Sequence, residues 1–189
     1  RTHGVRLHVR SAFTWQEGTW VDEEVPDMEQ AIVSAVTHDT SEAKMTLAGV
    51  PDQPGVAATV FRALADLEVN VDMIVQNISE EGRTDMTFSC PIDQVRRAQI
   101  AMDDAKTAGD INFHDLVADT DVAKVSIVGI GMRSHAGVAA KMFATLRDEG
   151  INIKVITTSE IKTSVLIDRK YMELAVQSLH DAFELEKEA

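Results

Sequence analysis

A chain of 189 residues has room for one or two compact domains with cores of their own. Its formal net charge of −13 opposes a phosphate backbone, Cys90 stands alone and so supports no disulfide framework, and no apolar run approaches the ~18 residues of a membrane span. Nucleic-acid and membrane partners are thereby set aside, and because the basic start Arg1–Arg10 lacks the apolar stretch of a secretion signal, a cytoplasmic protein is expected.

The aromatic fraction is 5%, so the core must be built from Val, Ile, Leu, Met and Ala. In chain order, Val5–Phe13 alternates apolar and polar residues and predicts a strand, with Thr19-Trp20-Val21 a short partner across the turn at Gln16-Glu17-Gly18. Asp22–Asp27 is acidic, holds Pro26, and reads as a linker. Ala31–Thr37 is rich in β-formers and predicts another strand. Lys44–Val50 is a strand that must stop at the Pro51-Asp52-Gln53-Pro54-Gly55 turn, since prolines cannot donate to a ladder. Val56–Glu68 follows as a helix, with Val56, Val60, Phe61, Leu64 and Leu67 on one stripe. Strands at Val69–Asn77 and Thr84–Cys90 flank a turn at Glu80-Glu81-Gly82; a helix at Gln94–Lys106 and a strand at Ile111–Ala118 complete a βαββαβ order.

That order begins again. Gly55-Val56-Ala57-Ala58, with Phe61, Leu64, Asp66, Asn70 and Ile74, returns as Gly137-Val138-Ala139-Ala140, with Phe143, Leu146, Asp148, Asn152 and Ile156, at a constant offset of 82 residues. Upstream, Lys44-Met45-Thr46-Leu47 matches Lys124-Val125-Ser126-Ile127 at an offset of 80, so the second loop is two residues longer. A solenoid repeat spans ~20–50 residues, so this longer period is a duplicated small domain. The second repeat reads strand Ala123–Ile130, helix Gly137–Glu149, strands Ile151–Ser159 and Thr163–Asp168, and helix Tyr171–Leu185; its last strand is missing. An absent edge leaves backbone groups unpaired. Strand Ala31–Thr37 is therefore expected to complete the second sheet, which inserts the first unit into the second. The fold class is α+β: two ferredoxin-like βαββαβ units, each an antiparallel sheet with its helices on one face. The expected division is 1–27, then 28–43 together with 122–189 as the second unit, and 44–121 as the first.

Gly129-Ile130-Gly131-Met132-Arg133-Ser134 imitates a dinucleotide fingerprint. The reading fails because the next strand turns straight into another through Ile161-Lys162, where a Rossmann unit needs a helical crossover. Asp52-Gln53-Pro54-Gly55 and Arg133-Ser134-His135-Ala136-Gly137 each open a helix, where free amides hold carboxylates and a nearby Asp can take an ammonium group; plain capping explains the same residues. Asn70, Gln76 and Asn77 correspond to Asn152, Thr158 and Ser159 at strand ends, as cleft lining or as solvated edge residues. Met73, Met86, Met102, Met132 and Met142 read as core filler. The six histidines show no metal-ligand spacing, and no nucleophile–base pair or phosphate-binding loop is visible.

Val50-Pro51-Asp52-Gln53-Pro54-Gly55-Val56-Ala57, Val69–Asn77 and Gly131–Val138, with Ile151-Asn152-Ile153 and Thr157–Ile161, resemble the tandem ACT domains of bacterial aspartate kinase over Glu29–Leu185. Arg6–Val21 resembles the end of that family's kinase domain, so residues 1–27 read as its remnant plus the acidic linker; alternatively the chain derives from a separate β subunit whose internal start would lie near Met28. The Lys-Phe-Gly-Gly-Thr-Ser motif of the kinase domain is absent. The resemblance implies a regulatory part of an ATP:L-aspartate phosphotransferase, with no catalytic residue, cofactor or metal of its own, ATP and Mg belonging to the kinase domain. It implies lysine and/or threonine as effectors giving feedback inhibition, a homodimer through the ACT domains, and a catalytic domain or subunit as partner. Carried over by matching residues, one effector site would use Asp52, Gln53, Gly55, Val56, Ala57 and Gln76, closed by Asn152 and Ile153. A second would use Ser134, His135, Gly137, Val138, Asn77, Ser159 and Glu160, with Ala136 where the family usually has Pro. Other readings of the same pattern are an ACT module of another biosynthetic enzyme, such as homoserine dehydrogenase, an RNA-binding βαββαβ module, which the charge and the lack of sheet aromatics oppose, and a purely structural dimerisation module.

Overall fold

The computed structural model describes residues 7–9, 19–21, 33–77, 82–130, 135 and 137–185. The chain divides into two compact units, residues 1–31 and 32–189. In the former, β1 (Leu7–Val9) pairs antiparallel with β2 (Thr19–Val21), Leu7 opposite Val21, as the alternation predicted. The linker at 22–27, Met28 and the turn at Glu80-Glu81 lie outside the described residues.

Residues 32–189 form two four-stranded antiparallel sheets with two helices each. The first repeat supplies β4 (Glu42–Pro51), α1 (Val56–Asp66), β5 (Ile74–Gln76), β6 (Arg83–Pro91), α2 (Val95–Ala108) and β7 (Asp115–Asp119), in the order β5-β6-β4-β7. The second supplies β8 (Val122–Gly129), α3 (Val138–Asp148), β9 (Ile153–Thr158), β10 (Lys162–Asp168) and α4 (Met172–Ala182). Its sheet is completed by β3 (Val33–Asp39), in the order β3-β8-β10-β9. With β3 standing for β7, the two orders are the same, and the first unit is inserted into the second. Alternation decides which side each residue takes. Met45, Leu47, Met86 and Phe88 face α1 and α2, while Val125, Ile127, Val165 and Ile167 face α3 and α4. Met73, Met86, Met102 and Met142 are buried as expected; Met132 is not among the described residues.

Two predicted strands are shorter than their patterns. Val69–Asn77 forms a regular ladder only at Ile74–Gln76; at Ser89 the pairing is irregular, with Asp72 N donating to Ser89 O at 3.2 Å, Ser89 N donating to Met73 O at 2.9 Å, and the Ser89 hydroxyl accepting from Met73 N at 3.2 Å. Ile111–Ala118 pairs only from Asp115, although Ile111 and Phe113 are buried; their burial comes from helix α2 and the core above the sheet, and their alternation is that of an irregular segment.

The chain crosses between the two sheets twice, at Thr40-Ser41 and at Thr120-Asp121. There Met73 of the first repeat is buried with Val122, Val155 and Leu166 of the second. Two lysines of the second repeat reach carboxylates of the first: Lys124 Nζ lies 2.7 Å from Asp72 and 3.8 Å from Glu42, and Lys154 Nζ lies 2.6 Å from Asp119. Lys154 also meets Asp168 at 2.7 Å. A hydrogen bond from the Ser41 hydroxyl at 2.6 Å holds the Asp39 carboxyl below its ordinary range, against some burial and with help from Lys124. Burial pulls Asp119 upward, but the Lys154 ammonium and the Asp121 amide outweigh it and the net direction is down. Lys154 is held above its usual value by Asp119 and Asp168. Lys124 is drawn down by burial and raised more by Asp72, Glu42 and Asp39.

The sign of the pH dependence follows. Carboxyls with lowered values bind fewer protons folded than unfolded, so their stabilisation is present at neutral pH and is lost as pH falls below about 4. The raised lysines contribute until pH climbs past about 10.5. The urea midpoint is therefore expected to drop between pH 5 and pH 3, and to drop less in Lys154→Met, whose Asp119 has lost its partner. Equal drops in the two proteins would refute this account of the crossover.

Candidate functional site

The first-repeat site starts from a glycine. Gly55 has φ +96°, a left-handed conformation in which it caps α1 with its backbone alone: its carbonyl accepts from Thr59 N at 3.0 Å, and no side chain caps the first turn. Gly137 repeats this at φ +104°, its carbonyl accepting from Lys141 N at 2.8 Å at the start of α3. The sequence repeat is thus a repeat of backbone geometry, each helix opening on a left-handed glycine, and among the described residues no side chain caps the first-turn amides of α1, the usual receptor for a carboxylate.

The loop before α1 is tied to the strand beside it, Asp52 N donating to Gly82 O at 2.9 Å. Asn77 N donates to Asp85 O at 3.3 Å, and Gln76 stands opposite Met86. Asp52, Gln53, Gly55, Val56, Ala57, Gln76 and Asn77 therefore gather at one end of the first sheet. Among the described residues no hydrogen bond or ion pair engages the side chains of Asp52 or Gln76. The carboxylate and the amide are free to meet a ligand's ammonium and carboxylate.

The other sequence-selected residues are elsewhere. Asn152 and Ile153 sit at the start of β9, beside the crossover, lining a shallow depression with Phe143, Arg147, Gly150 and Ile151. Asp52 follows the far end of β4, a ten-residue strand, about 30 Å from the crossover at 3.2–3.4 Å per residue. One chain does not bring these two groups together. His135, Gly137, Val138, Ser159 and Glu160 cluster at the far end of the second sheet, whereas Asn77 belongs to the first. Ser134 and Ala136 lie outside the described residues. The Ser159 hydroxyl is already spent closing the β9–β10 hairpin, where it contacts Lys162 O at 3.3 Å and Lys162 N at 3.2 Å.

Cys90 is fully buried and its thiol is pushed up to about 11 by burial, with Glu42 and Asp93 adding to the shift, so it carries no thiolate at neutral pH. Among the described residues no group of three His, Cys, Asp or Glu side chains could hold a metal. No described helix is long and apolar enough to cross a membrane. Sequence reading missed Arg83, Asp85 and Arg169, which hold backbone carbonyls and amides far away in the chain; the glycine at position 49, just ahead of Val50-Pro51, was the available sign of a special backbone near the loop.

Two ACT domain models match the chain, over residues 44–123 and 125–183. In the crystal structure of aspartokinase alpha and beta subunits, one chain is 47% identical and superposes with a TM-score of 0.74 over 81% of this chain and 99% of its own length. This chain belongs to the aspartokinase family and corresponds to its regulatory part. The ligand-free regulatory subunit of aspartate kinase from Thermus thermophilus is 40% identical, with a TM-score of 0.75 over 80% of this chain and 99% of that one. The aspartate kinase of Pseudomonas fluorescens is 47% identical over 188 residues, which are 99% of this chain and 45% of the enzyme. The chain spans less than half the length of such curated aspartokinase relatives. The two βαββαβ units are ACT domains, and the family resemblance read from the loops and strand ends holds along the chain.

Proposed function

We propose that this chain is the amino-acid sensor of an aspartate kinase, binding lysine and/or threonine so as to inhibit the ATP-dependent phosphorylation of aspartate. The observation that carries the reading is the unspent Asp52 and Gln76 beside the uncapped N-terminus of α1, in a chain 47% identical to an aspartokinase subunit. The effector's carboxylate meets the α1 amides and its ammonium meets Asp52. ATP and Mg act at the kinase domain, in the cytoplasm.

The reading also requires two copies. Asn152 and Ile153 can close the Asp52 site only from a partner chain, since their own chain holds them at the crossover. Strands β5 and β9 are sheet edges, and the repeat-related Ile74 and Ile156 on them are 51% and 44% exposed, which suits pairing of ACT domains in a homodimer. Occupancy then ties two chains together and favours the inhibited state, provided that the effector binds that state better.

The test is calorimetric titration with threonine, with lysine and with both, with oligomer mass read alongside. Lysine is included because aspartokinase III of E. coli, which shares the fold at 20% identity and a TM-score of 0.72, was solved with lysine and aspartate in its T-state. Saturable binding of at least one amino acid is expected. Asp52→Ala should weaken it about 10–100-fold, the effect of losing a charged hydrogen bond of ~1.5–3 kcal/mol. Heat-silent titrations, or unchanged affinity in Asp52→Ala, would overturn the assignment.

A further inference from the structure

Strand β4 contains an irregularity just ahead of the Asp52 loop. Leu47 stands opposite Met86 and Val50 opposite Thr84, so Ala48 and Gly49 together face the single residue Asp85, a β-bulge. The bulge reverses the alternation of the strand. Met45 and Leu47 point to the helices at odd positions, and Val50, at an even position, is nevertheless buried with them. In an unbroken strand Val50 would face away from the helices, and the Pro51–Gly55 turn would leave the sheet on the other face.

The bulge is held by side chains. Gly49 N donates to Asp85 Oδ1 at 2.9 Å, and Gly49 O accepts from Arg83 Nη1 at 2.6 Å. Both backbone groups of the bulged glycine are thus taken by residues of β6. Gly49 itself has φ +67°, and the imidazole of His114 occupies the space that a Cβ would need.

Among the described residues the second repeat does not show this arrangement. Strand β8 pairs regularly with β10 through Val128–Lys162, Gly129 N donates to Ile161 O at 2.9 Å, and the next residue, Ile130, is half exposed. By register, the positions of Arg83 and Asp85 are held there by Glu160 and Lys162, with the charges exchanged. Among the described residues, the bracketed bulge is seen ahead of the first of the two duplicated loops and not at the end of β8.

We propose that Asp85 and Arg83 are positioning residues of the first effector site: they hold the Gly49 bulge that sets the face from which the Asp52 loop and the α1 amides meet an amino acid. This rests on the effector reading above. Neither side chain touches the ligand; each acts through the backbone of Gly49. The conservative replacement Asp85→Asn keeps an acceptor oxygen for Gly49 N, whereas Asp85→Ala removes it.

The experiment uses the full 189-residue chain, wild type, Asp85→Ala and Asp85→Asn. Amide hydrogen exchange over residues 49–57 is measured without ligand, and threonine and lysine are titrated by calorimetry. Asp85→Ala is expected to speed exchange in that segment about tenfold and to weaken the affinity of whichever amino acid binds about tenfold, with Asp85→Asn close to wild type in both. Unchanged exchange in Asp85→Ala overturns the proposal, and so does faster exchange with unchanged affinity, which would mark the bracket as structural only. A wild type that binds neither amino acid overturns the effector reading itself, and is told apart because the exchange difference between the two variants would still stand.

Discussion

Replacing Arg169 by alanine is expected to lower the stability of the paired ACT domains by about 2–4 kcal/mol and to separate their unfolding into two transitions. Arg169 follows β10, in a single turn of 3-10 helix at Arg169–Tyr171. Its Nη2 donates to Thr40 O at 2.8 Å and to Thr120 O at 2.9 Å, and its backbone N donates to Asp121 O at 3.0 Å. Thr40 and Thr120 belong to the two crossings that join the inserted domain to its host, so one guanidinium ties both. Both bonds come from one nitrogen, whose two N–H groups are aimed at the two carbonyls by the rigid guanidinium plane, whereas a lysine ammonium sits on a shorter stem and its N–H groups rotate freely. Arg169→Lys should therefore lose roughly half as much as Arg169→Ala. The lower end of the range applies if the released carbonyls are fully rehydrated, since Thr120 is exposed. The measurement is urea unfolding followed by two probes; coincident transitions with an unchanged midpoint would show that the Met73 cluster and the lysine pairs hold the domains together without the clamp.

The second large effect is expected at Gly49. A Gly49→Ala variant should lose about 2–3 kcal/mol. Part of this is conformational: at φ +67° an L-residue is disfavoured by ~1–2 kcal/mol. The rest is steric, since the new Cβ would collide with His114 Nδ1 and lie 2.7 Å from its Cγ. The Cγ contact means that the ring must turn about the Cα–Cβ bond, and a swing of the ring tip alone gives no relief. The adjacent His114 N is fixed to Ala48 O at 2.8 Å, so its backbone cannot simply withdraw. Combining Gly49→Ala with His114→Ala should restore the steric part and leave the conformational part, a non-additivity read from a double-mutant cycle. If the double variant is as unstable as the sum of the singles, His114 does not press on position 49. Both single variants should also be assayed for effector binding, because the bulge lies directly before the Asp52 loop.

The backbone turns of the candidate site were legible in the sequence. The two glycines at positions 55 and 137 stand at equivalent places in the repeat, each between a strand pattern and a helix stripe, and a left-handed residue is what that junction needs. The edge-strand polar residues Gln76 and Asn77 were also in view, because they end a run of alternating residues. What could not be read was where these groups stand relative to one another. Asn152 shares a motif with Asn70, yet it lies beside the crossover and not near Asp52; that follows from which end of β9 meets the other domain. Ser159, chosen as a ligand contact, has its hydroxyl engaged by Lys162 because the hairpin closes there.

The amino-acid sequence by itself determined the duplication, the kind and order of nearly every element, and the completion of the second sheet by the strand ahead of the first repeat. Those follow from periodicity, glycine and proline placement, and the rule that backbone groups at a missing edge must be paired. Only the tertiary structure decided that Arg169 joins carbonyls 129 and 49 residues away, that Lys124 and Lys154 bridge the two domains, and that a bulge at Gly49 reverses the face of Val50. The reason is physical: a helix stripe or a strand alternation is a property of neighbours in the chain, whereas strand register and a half-buried guanidinium's partners depend on which distant backbone groups packing has brought within hydrogen-bond reach.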